Sequence, residues 1–216
     1  MLTLFEELFA LSIHEDKGTV ISSSGAGLQL GLSGALLAQL ALREKVSITE
    51  NHRVCLVNSE PTEDEILDEA IQTIQASEKE RKFSYWIDAF SQKPEKFRKH
   101  LTERLVRRGV VSEEEDHLVW VVPSRDFPNI EASTKFVIKR RLRSIILANE
   151  SASLRDIALL TMVKACGLSF LVFLRDERKL AARRTNELMV GAAMKNPIAQ
   201  TIEEIAAALE GMIDED

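Results

Sequence analysis

The stretch SSSGAGLQLGLSGALLAQLAL, Ser22 to Leu42, decides the fold. The residues before it, EDKGTVI, have the composition of a short strand. Behind them a glycine-rich turn runs into an apolar helix from about Gly27 to Leu42. Two folds use that punctuation. In a dinucleotide-binding unit the glycines let backbone approach a pyrophosphate at a helix N-terminus. In a helical core they let a neighbouring helix cross closely. GAGLQLG is a loosened G-x-G-x-x-G, and Glu50 falls where a ribose-binding acid would stand. The spacing is one residue too long, however, and no strand–helix alternation continues after Asn58, as a parallel sheet requires. No G-x-x-x-x-G-K-[ST] occurs. A helix so apolar all round, and so rich in Ala and Gly, belongs at the centre of a helical domain.

The rest of the chain surrounds that helix. Leu4, Phe5, Leu8, Phe9 and Leu11 form an apolar stripe, with Thr3 and Glu6 as a capping box at its start. KVSITENHRVCLVN alternates on either side of a break and predicts a β-hairpin over Val46–Asn58. Thr62 and Glu65, just after Pro61, predict the cap of a helix through about Ser77. FSYWIDAF is a short aromatic helix. PEKFRKHLTERLVRR is a basic amphipathic helix that Gly109 ends. HLVWVV is a strand, and SRDFPN a loop behind it. Four helical segments complete the chain: KFVIKRRLRSIILAN, LRDIALLTMVKACG, SFLVFLRDERKLAARRTNELMVGAAM and IAQTIEEIAAALEGMI. The expected fold is mainly α: one compact helical domain over 1–216, with a central buried helix, surrounding amphipathic helices and a short β-hairpin.

Composition narrows the function. Of 216 residues, 45% are apolar and 29% charged, the balance of a globular protein. No signal-peptide pattern succeeds Met1, and no apolar run approaches the roughly 20 residues of a membrane span. Cys55 and Cys166 lie in apolar runs, as reduced packing residues of a cytoplasmic protein do. The net charge of −6 argues against nucleic acid as a partner. From Pro94 to Arg143, though, twelve Lys/Arg face eight Asp/Glu. The local excess suits an anionic partner, or an ordinary charged helix face.

Four ordered blocks carry a resemblance: LTLFEELFALSIHEDKG, GLSGALLAQLALREKVSI, LDEAI and LTERLVRRGVV. In sequence and spacing they are similar to the Golgi phosphoprotein 3 family, closely from Leu2 to Val111 and more weakly to about Leu188. That resemblance implies a single helical domain with a central buried helix and a protruding hairpin. It implies a peripheral membrane protein that binds phosphatidylinositol 4-phosphate and helps retain glycosyltransferases. In eukaryotic members a tryptophan and three arginines hold the headgroup. The tryptophan position falls on Ser24, and the arginine of the GLRG block on Ser33. Of the two arginines on the later basic helix, one falls on Glu95 and the other is kept as Arg98. Glu95 would repel phosphate where arginine would bind it through paired hydrogen bonds. Lys96, Lys99 and Arg104 on the same helix, and Lys139, Arg140, Arg141 and Arg143 further on, offer substitute cations. Each also reads as a solvated helix-face charge. The family's bilayer-dipping loop corresponds to Pro123–Pro128, with Phe127 as its apolar tip, or folded back onto the core.

Catalytic patterns are lacking. His14, His52, His100 and His117 have no metal-ligand spacing. There is no G-x-S-x-G elbow, and SEEED, Ser112–Asp116, lacks the alternating ligands of a calcium loop. The expectation is a non-enzyme without cofactor or metal, cytoplasmic and peripheral at a membrane, binding phosphatidylinositol 4-phosphate or anionic lipid generally. The alternative is a protein–protein adaptor that has lost headgroup binding. A more remote one is a nucleotide-cofactor-binding enzyme resting on the glycine stretch.

Overall fold

The computed structural model describes residues 1–13, 25–92, 94–114, 117–120 and 133–214. The elements in order are α1 (Leu4–Ser12), α2 (Gly25–Leu42), β1 (Val46–Ile48), β2 (Val54–Leu56), α3 (Glu65–Gln75), α4 (Phe83–Ser91) and α5 (Pro94–Arg107). A second hairpin, β3 (Val111–Glu114) and β4 (His117–Trp120), precedes α6 (Thr134–Leu147) and α7 (Leu154–Ala165). A single 3-10 turn (Ser169–Leu171) then leads to α8 (Arg178–Ala193) and α9 (Pro197–Asp214). The architecture is mainly α, as the periodicity indicates.

Helix α2 is the axis. Every residue from Gly31 to Ala41 is buried, and the helix packs against α1, α4, α7 and α9. Its glycines set how closely α7 and α9 approach. A Cβ on Gly31 would collide with Cys166 Sγ, and one on Gly27 would lie 2.6 Å from the Cys166 carbonyl oxygen. At Gly34 the neighbour is a methyl, Leu209 Cδ2, at 3.2 Å. The glycines therefore serve helix packing, and both sheets among the described residues are two-stranded and antiparallel. Among the described residues there is no parallel sheet of the kind a doubly wound nucleotide fold requires. The proposed strand EDKGTVI lies outside the described residues.

The predicted capping box is present: Thr3 Oγ1 accepts from Glu6 N, and Thr3 N donates to Glu6 Oε2 at 2.6 Å. The first hairpin pairs Val46 with Leu56 and Ile48 with Val54. Three expectations need correction. Asp64, not Thr62, caps α3, accepting from Ile66 N and Leu67 N; Thr62 instead donates to Asp68 Oδ1. His117–Trp120 is half of a hairpin whose other strand starts at Val111. The segment from Ser169 to Met194 is not one helix, because the chain turns over 172–177 before α8 begins.

Candidate functional site

A crevice built by α2, α4 and α5 is lined by two of the four expected headgroup positions. Pro94 opens α5, where its missing N–H costs nothing. Gly109 closes it with φ +64°, and Val110 N reaches back to the Leu105 carbonyl at 2.9 Å. Leu101 and Leu105 are buried along α5, which fixes its rotation. The end of α4 is tied to α2 by Gln29 Nε2 donating to the Ser91 carbonyl at 2.7 Å. Between these helices Ser33 and Arg98 line one crevice, together with Gln29, Phe90, Ser91 and Phe97.

The two positions thus meet, but on unequal terms. Ser33 is buried, and its hydroxyl donates to the Gln29 carbonyl of its own helix at 3.4 Å. Arg98 is half-buried, and its Nε has no hydrogen-bond partner among the described residues. The crevice is too tight to admit a water molecule, so a phosphate would rest over it, not within it. Lys99 next to Arg98 is exposed. Glu95 and Lys96 lie on the first turn of α5, but their side chains are outside the described set, as are Ser24 and Phe127 altogether.

Two of the substitute cations turn inward. Arg104 donates from both terminal nitrogens to the two Asp64 oxygens at 2.7 Å, and from Nε to Glu6 Oε1 at 3.0 Å. Arg141 binds Glu7 Oε2 at 3.0 Å and lies 2.9 Å from Asp156 through Nε. Arg155 also reaches Glu7, at 3.2 Å, and Arg108 reaches Glu6 at 3.3 Å. Glu6 and Glu7 are buried in the first turn of α1, where charge without a partner would be costly. Burial works against charge on Asp64, yet the Arg104 fork and the Ile66 and Leu67 amides hold its carboxyl below the ordinary range. Burial likewise opposes charge on Arg104, and Asp64 and Glu6 outweigh it. The signal for this network was two adjacent acids inside an otherwise apolar helix. Arg143 is also committed, bonding both Glu177 oxygens at 2.6 and 2.7 Å. Arg140 stays exposed on α6.

A family model described as Golgi phosphoprotein 3 (GPP34) matches residues 4–207, nearly the whole chain. The chain belongs to the Golgi phosphoprotein 3 family. It is 29% identical over 166 residues to vacuolar protein sorting-associated protein 74 of Schizosaccharomyces pombe, covering 67% of this chain and 48% of that one. The protein of the same name from Eremothecium gossypii is 26% identical over 167 residues, with 68% and 49% covered. The chain thus aligns with about half the length of these curated relatives.

Within this Golgi phosphoprotein 3 fold, the described residues contain no group of three His, Cys, Asp or Glu side chains able to hold a metal. His52 Nδ1 lies 2.9 Å from Glu204 Oε1, tying the first hairpin to α9. Cys166 is buried against α2, and that burial, reinforced by Glu210, pushes its thiol up. A thiol so held makes no thiolate nucleophile. No described helix is long and apolar enough to cross a membrane.

Proposed function

We propose that this family member is a non-catalytic protein that associates peripherally with anionic membrane surfaces, working as a single helical unit. Arg98 and Lys99 on α5 form its phosphate-facing contact. The observation that carries this reading is Arg98 itself: the one retained arginine of the family's headgroup set, it lines the crevice beside Ser33 with its Nε turned away from solvent and, unlike Arg104, Arg141 and Arg143, forms no ion pair with a described carboxylate. An arginine not consumed by an internal carboxylate keeps its terminal guanidinium N–H groups for a phosphate oxygen. Arg104 and Arg141 do not share that freedom.

The contact is charge-led and weakly selective among headgroups. Ser33 brings no charge, its hydroxyl is directed along α2, and Glu95 replaces a cation. Specific recognition of the 4-phosphate needs several forks converging on one group, and one arginine with a flanking lysine does not supply them. Each basic side chain near an anionic bilayer contributes roughly 1 kcal/mol, screened beyond about 8–10 Å. Flotation with neutral, phosphatidylserine and phosphatidylinositol 4-phosphate vesicles tests the reading. Binding to both anionic compositions at similar strength is expected. Salt-resistant capture by the 4-phosphate vesicles alone would overturn the weak selectivity.

A further inference from the structure

The strongest unassigned feature is a groove of about 620 Å³ between α6 and the segment just after α7. Its floor includes Phe136, Phe170, Val172 and Leu174, and its size falls in the range of about 300–1,000 Å³ common to ligand sites. Leu147 and Leu174 line it while 40% and 62% exposed. Large apolar side chains grouped in water mark a surface that something covers. Arg98 and Ser33 belong to a different crevice, so this groove is separate from the proposed phosphate contact.

Charge indicates what covers it. The lining residues include Lys139, Arg140 and Arg143 and no carboxylate; Arg143 is paired with Glu177 and Lys139 is engaged as well, so the exposed lining cation is Arg140. Arg178 extends the cationic rim, with its guanidinium 6.0 Å from the centre of the Phe170 ring. Of the two acids in the neighbouring turn, Asp176 is exposed and Glu177 is held by Arg143 and by the Leu174 amide at 2.8 Å. A basic rim around an apolar floor complements a ligand that is acidic at its edges and apolar along one side.

We propose that the α6 groove docks an acidic, amphipathic segment of a partner protein. The groove is lined by the buried Leu171, Val172 and Phe173 as well as by exposed Leu147 and Leu174, a recess that protruding side chains of a polypeptide fill. A helix or extended strand of a polypeptide can lay Leu or Phe side chains onto Phe136 and Phe170 and set carboxylates against Arg140 and Arg178.

A display library of random peptides about 14 residues long, roughly four helical turns, selected on the full chain, tests this. Enriched peptides are expected to be rich in Asp/Glu and in Leu/Phe. Their affinity should fall about tenfold or more on the doubly substituted Arg140→Glu, Leu174→Asp chain, and stay unchanged on Lys99→Glu. Circular dichroism confirms that the variants are folded, and Arg178→Glu alone is a milder second probe. Failure to enrich, enrichment without acidic bias, or binding indifferent to the groove substitutions overturns the proposal. So does loss of anionic-vesicle flotation in the groove variants with peptide binding intact, which would make the groove a membrane contact.

Discussion

Replacing Gly31 by alanine probes the packing of α2 with unusual resolution, because the added methyl collides with one side chain. The added methyl collides with Cys166 Sγ and lies 3.2 Å from Cys166 Cβ and 3.5 Å from Leu8 Cδ2. Cys166 and Leu8 are both buried in the core and cannot simply swing away. Overpacking of this kind costs about 1–3 kcal/mol. Alanine returns up to about 1 kcal/mol through its better helix propensity. From the middle of that range, about 2 kcal/mol, the full propensity gain leaves a net loss of about 1 kcal/mol, a fall in Tm of roughly 2–4 °C for a chain of this size. Gly34→Ala is the internal control. Its Cβ comes no nearer than 3.2 Å to Leu209 Cδ2, a contact relieved by a shift of a few tenths of an ångström, so the propensity gain offsets it and Tm should move little. Cys166→Ala in the Gly31→Ala background removes the colliding sulfur, and the pair should be more stable than the sum of the single changes. Thermal melts and urea titrations with constant m-value measure both effects. A Gly31→Ala chain as stable as the parent, or a double variant no better than additive, would refute the close-crossing account of the glycines.

The ion network and the phosphate contact carry further expected outcomes. Arg104→Ala leaves Glu6 and Asp64 buried without their shared partner and should cost about 3–5 kcal/mol in urea unfolding. Asp64 has a folded pKa below its ordinary value of 3.8, so its stabilisation is complete above that value and disappears as pH falls through the depressed one. Tm should accordingly hold from pH 7 to about 5 and drop below about 4, more shallowly in Asp64→Asn. Ser33→Arg with Glu95→Arg should raise preference for the 4-phosphate lipid in flotation while lowering Tm, because Ser33 is buried and an arginine there must thread the crevice.

The helical fold was readable because its signals are local. The all-round apolar pattern of α2, the Thr3–Glu6 capping box and the Gly109 stop each sit within one or two turns of sequence. Boundaries failed where two local signals compete. Thr and Asp are both residue types that cap helices, so Thr62 and Asp64 read alike, and Glu63 between them takes φ +61°, a kink that no pattern announces. The strand Val111–Glu114 carries acids where a strand reading expects alternation, so only its partner was legible. The site was harder still. Arg98 and Arg104 occupy the same helix, one half-buried with an unpartnered Nε and the other claimed by Glu6, 98 residues away in sequence. Helical periodicity says which face a cation occupies, not whether a buried carboxylate from another helix is waiting for it. The α6 groove is hidden in the sequence for a related reason. Its floor combines α6 with the turn near Phe170, which reads in sequence as the start of a long helix.

Charge reversal on α5 with vesicle flotation is the most direct measurement of the central claim. The parent chain should float with phosphatidylserine vesicles and with phosphatidylinositol 4-phosphate vesicles, and release steeply as salt is raised. Arg98→Glu with Lys99→Glu should abolish flotation on both, with the melting profile retained, while Arg140→Glu with Arg178→Glu leaves flotation largely in place. No flotation of the parent on any anionic vesicle, or flotation untouched by the α5 reversal, would contradict the account.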